Sequence, residues 1–192
     1  MNKKNTPKAI TLRVICAIII TLTVLTVCVF GFSSLLKTLY PMKFTNTVEK
    51  YSKQYNLSKF FVYAVIECES GFDEKAVSPV GARGLMQIMP DTFDWINMKL
   101  SKSEGYDKAF EAETSIEYGC YFYSYLMNKY GNEAVCVAAY HAGMGNVDKW
   151  LSDERYSLDG KTLYDIPFPS TKKYVKKVVE TKKIYEKLYG ED

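Results

Sequence analysis

Apolar positions along the chain fall into one long block and several shorter periodic stretches. Val14 to Leu36 carries no charged residue over 23 positions. At ~1.5 Å per helical residue that length crosses a hydrocarbon core of ~30 Å. Beyond it, apolar and aromatic side chains recur at helical spacing. Val48, Tyr51 and Tyr55 predict a helix over 46–55, and Asn56-Leu57-Ser58 a turn. Ser58 is well suited to cap the next helix, which carries the run Phe60 to Ile66 and ends at Glu69. Asp73 to Gly84, with Pro79, Gly81 and Gly84, reads as a loop with at most a small hairpin near 72–88. Pro90 opens a helix to about Leu100, and 101–107 is a polar loop. Ile116, Tyr123, Leu126, Met127 and Tyr130 mark a long helix over 112–130, closed by Gly131. Residues 133–142 are almost all apolar and predict a buried helix, broken by Gly143-Met144-Gly145. A loop over 158–170 leads into an amphipathic helix over 171–189. The fold class expected is mainly α, with one transmembrane helix ahead of a helical domain. The expected order is a cytoplasmic tail over 1–13, a transmembrane helix over 14–36, a linker over 37–50 and a folded domain over 51–192.

Charge sharpens this order. Five of the 25 basic residues (Lys3, Lys4, Lys8, Arg13 and Lys37) lie in the first 40 positions, with no acidic residue among them. The remainder holds 20 basic and 22 acidic residues. A nearly neutral domain asks for no nucleic-acid partner. Four basic residues precede the apolar block and only Lys37 follows it closely, so the N-terminus is expected in the cytoplasm and the domain outside the membrane. A cleaved signal peptide is the alternative, but its apolar core is shorter, about 7–15 residues, and ends at a small-x-small site. Cys16 and Cys28 fall in the membrane block, and Cys68, Cys120 and Cys136 read as buried free thiols. With His141 the only histidine, no metal-ligand cluster forms, and no cofactor is expected. The 16 tyrosines suit a wet cleft that stacks on sugar rings, although a codon bias towards Lys, Asn, Ile and Tyr yields the same count.

Glu69 is the candidate for chemistry. A carboxylate at the C-terminal end of a buried helix faces the negative end of the dipole and is desolvated. Both effects favour the protonated form that a general acid needs. A surface glutamate in a last helical turn is the plain alternative.

Three blocks then occur in order: Glu69-Ser70-Gly71-Phe72, the fifteen residues from Ala76 to Pro90 (AVSPVGARGLMQIMP), and Ala139-Tyr140-His141-Ala142-Gly143. Together they closely resemble the soluble-lytic-transglycosylase-type domain of the lysozyme-like superfamily, over about Tyr51 to Tyr189. The resemblance implies a lysozyme-like helical fold that cleaves the MurNAc–GlcNAc bond of peptidoglycan glycan strands. Glu69 matches the family's single catalytic glutamate, which acts first as acid on the glycosidic oxygen and then as base on the C6 hydroxyl of the same MurNAc, closing a 1,6-anhydro ring. Most glycosidases need two carboxylates, one of them as nucleophile or base. An internal hydroxyl as nucleophile makes one sufficient.

The other site expectations are residue-specific. Gln87 offers donor and acceptor groups for sugar hydroxyls or N-acetyl groups. Met86 stands between core packing and cleft lining. Ser70 orients Glu69 or caps the helix end. Tyr140 matches the family tyrosine whose hydroxyl approaches the acid, and Tyr174 a closing motif that adds a cleft aromatic. His141 replaces the asparagine of many members and adds a group that titrates near pH 6.5. Glu67, two residues before Glu69, faces another side of the helix. Basic residues over 172–187 make a solvated face or a contact with anionic lipid or wall polymer. The rival functions are a hydrolytic muramidase and a catalytically silent glycan-binding module of an envelope complex, whose partners the residues do not specify. Endo- or exo-action depends on loops such as 101–111 and 152–170.

Overall fold

The computed structural model describes residues 7–190; residues 1–6 of the expected tail lie outside them. The chain divides into two compact units, Met1–Pro41 and Met42–Asp192. The first is the helix α1 (Pro7–Leu39). Its stretch Ile15–Leu39 is 25 residues long with a mean hydropathy of 2.7, long and apolar enough to cross a membrane. The hydroxyls of Thr21, Thr23 and Thr26 each donate to the carbonyl four residues back at 2.8 Å. Polar side chains in an apolar helix thereby satisfy themselves without outside partners.

The second unit is helical: α2 (Thr45–Gln54), α3 (Lys59–Ser70), α4 (Pro90–Leu100), α5 (Ala112–Tyr130), α6 (Glu133–Ala142), α7 (Met144–Leu151) and α8 (Pro169–Tyr189). A 3-10 turn covers Tyr106–Phe110. Among the described residues there is no strand. The region expected to hold at most a hairpin carries two isolated bridges, Val77 with Arg83 and Arg83 with Ile88.

The central helix is α3, with Phe61 to Ile66 all buried. Such a run cannot stay amphipathic, so neighbours cover it on several sides: α8 along its length and α2 beside it, while α6 bridges α8 to α5. Aromatic rings fill the interfaces. Tyr63 stacks on Tyr185 at 5.5 Å, Phe61 meets Tyr123 edge-on at 4.9 Å, and Phe93 lies 4.7 Å from Tyr118. The tyrosine richness is therefore a core property as much as a cleft property: Tyr63, Tyr118, Tyr123 and Tyr185 are fully buried.

Helix boundaries deviate from the pattern where glycine or proline was ambiguous. Ser58 occupies the N-cap of α3 in extended conformation, but its side chain makes no capping bond. Gly143 (φ 84°, ψ 145°) redirects the chain for one residue only, and α7 starts at once at Met144. Burial of Val147 and Trp150 holds that short helix despite Gly145 in its first turn. Pro169 begins α8, two residues earlier than the amphipathic pattern suggested, because proline is pre-set for a first helical position. Cys68, Cys120 and Cys136 are free thiols, the last two buried.

Candidate active site

Glu69 lies in the last turn of α3, where the helix leaves the core. Burial raises its carboxyl from the ordinary 4.5 to about 7, opposed by a hydrogen bond from Tyr174 and by the charge of Lys177. The packing of α8 on α3 produces both contacts. Val178, Thr181 and Tyr185 are buried and fix the rotation of α8. That rotation brings Tyr174 and Lys177 to the Glu69 end. Tyr174 Oη donates to Glu69 Oε1 at 2.5 Å, and Lys177 Nζ donates to the Cys68 carbonyl at 3.2 Å.

A ladder of tyrosines extends from this contact. Tyr123 Oη lies 3.4 Å from Tyr174 Oη. The Tyr140 ring stacks on that of Tyr123 at 4.3 Å with 6° between planes. Tyr140 Oη donates to the Met86 carbonyl at 2.6 Å. The hydroxyl that meets the acid is thus that of Tyr174, whereas Tyr140, expected in that position, holds the loop between α3 and α4. Burial and the nearby Glu69 charge push the Tyr140 phenol well above its ordinary 10.

The loop is a rigid frame. Ser70 Oγ lies 2.9 Å from the Leu85 carbonyl and 3.2 Å from that of Ile66, tying the acid-bearing helix end to the loop. Gln87 adopts a positive φ of 48°. Both donors of its amide are committed to the loop backbone, at 3.1 Å to the Ala76 carbonyl and 3.0 Å to that of Gly84. The donating role toward sugar expected of Gln87 is therefore replaced by a structural one. Met86 is wholly buried, its sulfur packed on Gly119, and its N–H donates to Ser115 Oγ at 3.1 Å. Of the two readings of Met86, the side chain follows core packing.

His141 lies on the far side of Tyr174, rings 4.7 Å apart, with Nδ1 3.0 Å from Thr171 Oγ1. Desolvation lowers its pKa from 6.5, so the ring is neutral at neutral pH. Burial also raises the Glu67 carboxyl above its ordinary 4.5, and the charges of Lys177 and Lys43 reduce the rise without cancelling it. No group of three or more His, Cys, Asp and Glu able to hold a metal occurs among the described residues.

Glu69, Ser70, Tyr140, His141 and Tyr174 thus gather around one helix end, with Met86 and Gln87 behind them. Ser115, Tyr123 and Lys177 were missed by sequence reasoning. Lys177 had a signal, since it lies three residues after Tyr174 on one helix face. Ser115 had none, because a serine on a helix does not announce a backbone partner 29 positions away.

The Tyr174 contact has a measurable consequence. Its hydroxyl favours the charged carboxylate, so Tyr174→Phe moves the alkaline limb of the pH–rate profile upward and lowers kcat about tenfold, the worth of one hydrogen bond. A limb that stays in place or moves down excludes the contact from catalysis.

A family model for the transglycosylase SLT domain matches residues 46–162. The soluble lytic murein transglycosylase of Salmonella typhimurium is 32% identical over 156 residues, covering 79% of this chain and 24% of that protein. A membrane-bound lytic murein transglycosylase C of Haemophilus ducreyi is 26% identical over 166 residues, covering 74% of this chain and 45% of that protein. Among solved structures, an inactive glutamate-to-glutamine mutant of lytic transglycosylase Slt from Pseudomonas aeruginosa superposes with a TM-score of 0.71 at 29% identity, covering 82% of this chain and 26% of its own. The chain spans about a quarter of the Salmonella relative.

Proposed function

We propose that this chain, which belongs to the transglycosylase SLT domain family, cleaves the MurNAc–GlcNAc bond of peptidoglycan without water and leaves 1,6-anhydro-MurNAc ends. One observation carries the reading: the carboxyl of Glu69, desolvated at the end of α3 and poised at about 7. Near neutral pH it is populated in both protonation states, as an acid that must later become a base requires.

In the first half of the reaction the protonated Glu69 gives its proton to the glycosidic oxygen as the bond from MurNAc C1 breaks, and GlcNAc leaves with a free hydroxyl. In the second half the Glu69 carboxylate takes the proton of the MurNAc C6 hydroxyl while that oxygen bonds to C1. The acid is regenerated and no water is consumed. Burial stabilises the acid form before the first step, and the Tyr174 hydroxyl and Lys177 charge stabilise the carboxylate between the two. The Slt relative that a glutamate-to-glutamine exchange leaves inactive supports dependence on one glutamate. Ser70, Tyr140, Met86 and Gln87 act as positioning groups for the loop facing the acid. Tyr174 and His141 bear on the substrate side.

The apolar stretch Ile15–Leu39 anchors the chain in the cytoplasmic membrane as a single span, with the N-terminus inside and the domain outside. A relative described as membrane-bound supports a membrane location. Digesting purified peptidoglycan with the full chain in detergent and weighing the muropeptides tests the reaction. Fragments carrying 1,6-anhydro-MurNAc are expected. Fragments heavier by one water, with reducing MurNAc ends, would instead establish a hydrolytic muramidase.

A further inference from the structure

A groove of about 340 Å³ runs between the segment 163–166 and the outer side of α8. Ile166, Val175 and Val179 give it an apolar lining, and Tyr164 joins them with 59% of its surface exposed. Lys172, Lys176 and Lys183 line the same groove.

These lysines belong to a larger pattern. The helix carries seven lysines against two glutamates. Two of the seven serve the domain itself: Lys177 donates to the Cys68 carbonyl, and Lys182 to the Glu133 carboxylate at 2.7 Å. The other five are exposed. Among them Lys172, Lys176, Lys183 and Lys187 follow one another at steps of four, seven and four residues, so they form one stripe. The stripe lies opposite the face that buries Val178, Thr181 and Tyr185. Acids answer only half of it. Asp165 bonds Lys172 at 2.6 Å and Glu180 reaches Lys176 at 3.7 Å, while Lys183 and Lys187 have no ion pair among the described residues.

A solvated helix face accounts for the lysines but not for the apolar groove between them. The combination fits a bilayer surface rich in anionic phospholipid. There the ammonium groups meet phosphates, while aliphatic stems and an aromatic ring enter the interfacial layer. A soluble polyanion would satisfy the lysines alone and gain nothing from Val175, Val179 and Tyr164. The chain also carries its own route to this partner. The stretch Ile15–Leu39 is apolar enough to cross a membrane, and only residues 40–44 separate α1 from α2, at most about 17 Å of extended chain.

We propose that the lysine stripe and groove of α8 dock the domain on the anionic phospholipid surface of the membrane that holds α1. The proposal rests on the membrane placement above. Tyr174 and Lys177, which face the Glu69 end, lie off the stripe. Docking through the stripe therefore leaves the acid open to glycan strands.

The test places the full chain in vesicles of phosphatidylcholine alone, or with about a third phosphatidylglycerol, and reads the acylation rate of each lysine by peptide mass. Lys176 and Lys183 should label about threefold more slowly on the mixed vesicles, and salt near ~0.5 M should restore their rates. Lys99 on α4 should label equally on both. Reversing charge with Lys176→Glu and Lys183→Glu should abolish the slowing at Lys172 and Lys187 and leave peptidoglycan cleavage in detergent unchanged. Tyr164→Ser should weaken the slowing. Equal lysine rates on the two vesicles overturn the docking. Soluble polyphosphate that slows the same lysines on phosphatidylcholine vesicles as strongly, whether or not Tyr164 is replaced, overturns it in favour of an anionic polymer. Flotation with pure phosphatidylcholine at high salt reports the α1 span separately. A chain that fails to float there but floats with mixed vesicles at low salt overturns the span and leaves the docking.

Discussion

Replacing Glu69 with glutamine stops glycan cleavage and makes the folded domain more stable at alkaline pH. The two effects share one cause. Burial lifts the Glu69 carboxyl from 4.5 to about 7 in the folded state. Between those values the folded protein holds a proton that the unfolded chain has released, so stability falls as pH rises through this window. At ~1.4 kcal/mol per pH unit the penalty above pH 7 is on the order of 3 kcal/mol. Glutamine keeps the shape and still accepts from the Tyr174 hydroxyl, but it neither titrates nor gives a proton. Muropeptide release should fall at least a hundredfold, within the range of general acid catalysis of about 10²–10⁴. Denaturant midpoints of the two proteins should coincide at pH 4 and diverge in favour of glutamine at pH 8. The wild-type rate should decline above pH 7 as the acid ionises. Equal stability at both pH values would mean that Glu69 titrates as an ordinary carboxyl, and retained cleavage would remove it from the mechanism.

Gly84→Ala unfolds the frame behind the acid. Gly84 has a φ of 75°, and a methyl group there would overlap the Ala109 carbonyl oxygen and press on Ala109 C and Ser115 Oγ. The left-handed conformation alone costs a side chain ~1–2 kcal/mol. The overlap is with backbone of the 3-10 turn, which cannot rotate away as a flexible side chain would. A total of about 3–4 kcal/mol is expected, which lowers the melting temperature by about 10 °C for a domain of this size. Activity should fall further than stability explains. The Gly84 carbonyl receives the Gln87 amide, and the Gly84 N–H reaches the Ala76 carbonyl at 3.0 Å. Thermal melts and muropeptide release measured below the lowered transition would separate the two. A melting temperature unchanged within two degrees would show that the 3-10 turn yields.

Helix positions were legible because each depends on a local rule. The run Phe60–Ile66, the closing Gly131 and Pro90 as a first helical residue are written within a few positions of the elements they define. What failed locally was decided by distant packing. The pair Gly143 and Gly145 reads as a break, yet burial of Val147 and Trp150 recovers a helix between Met144 and Leu151. The tyrosines read as cleft residues, yet several pack inside because the rings fill helix interfaces. Gln87 and Met86 carried the right motif but turned inward, since the tight loop needs its own backbone satisfied.

By itself the sequence determined the helical class, the apolar N-terminal stretch and the family, and it singled out Glu69 as the candidate acid, all of which rest on short-range patterns and residue chemistry. Only the tertiary structure decided which tyrosine serves Glu69. The partner is Tyr174, 105 residues away, and not Tyr140. The choice depends on how α8 rotates to bury Val178, Thr181 and Tyr185 against its neighbours, and that rotation is a sum over packing contacts that no single segment contains. The elevated pKa has the same origin, because a carboxyl is desolvated by whatever closes over it and not by its own neighbours in the chain.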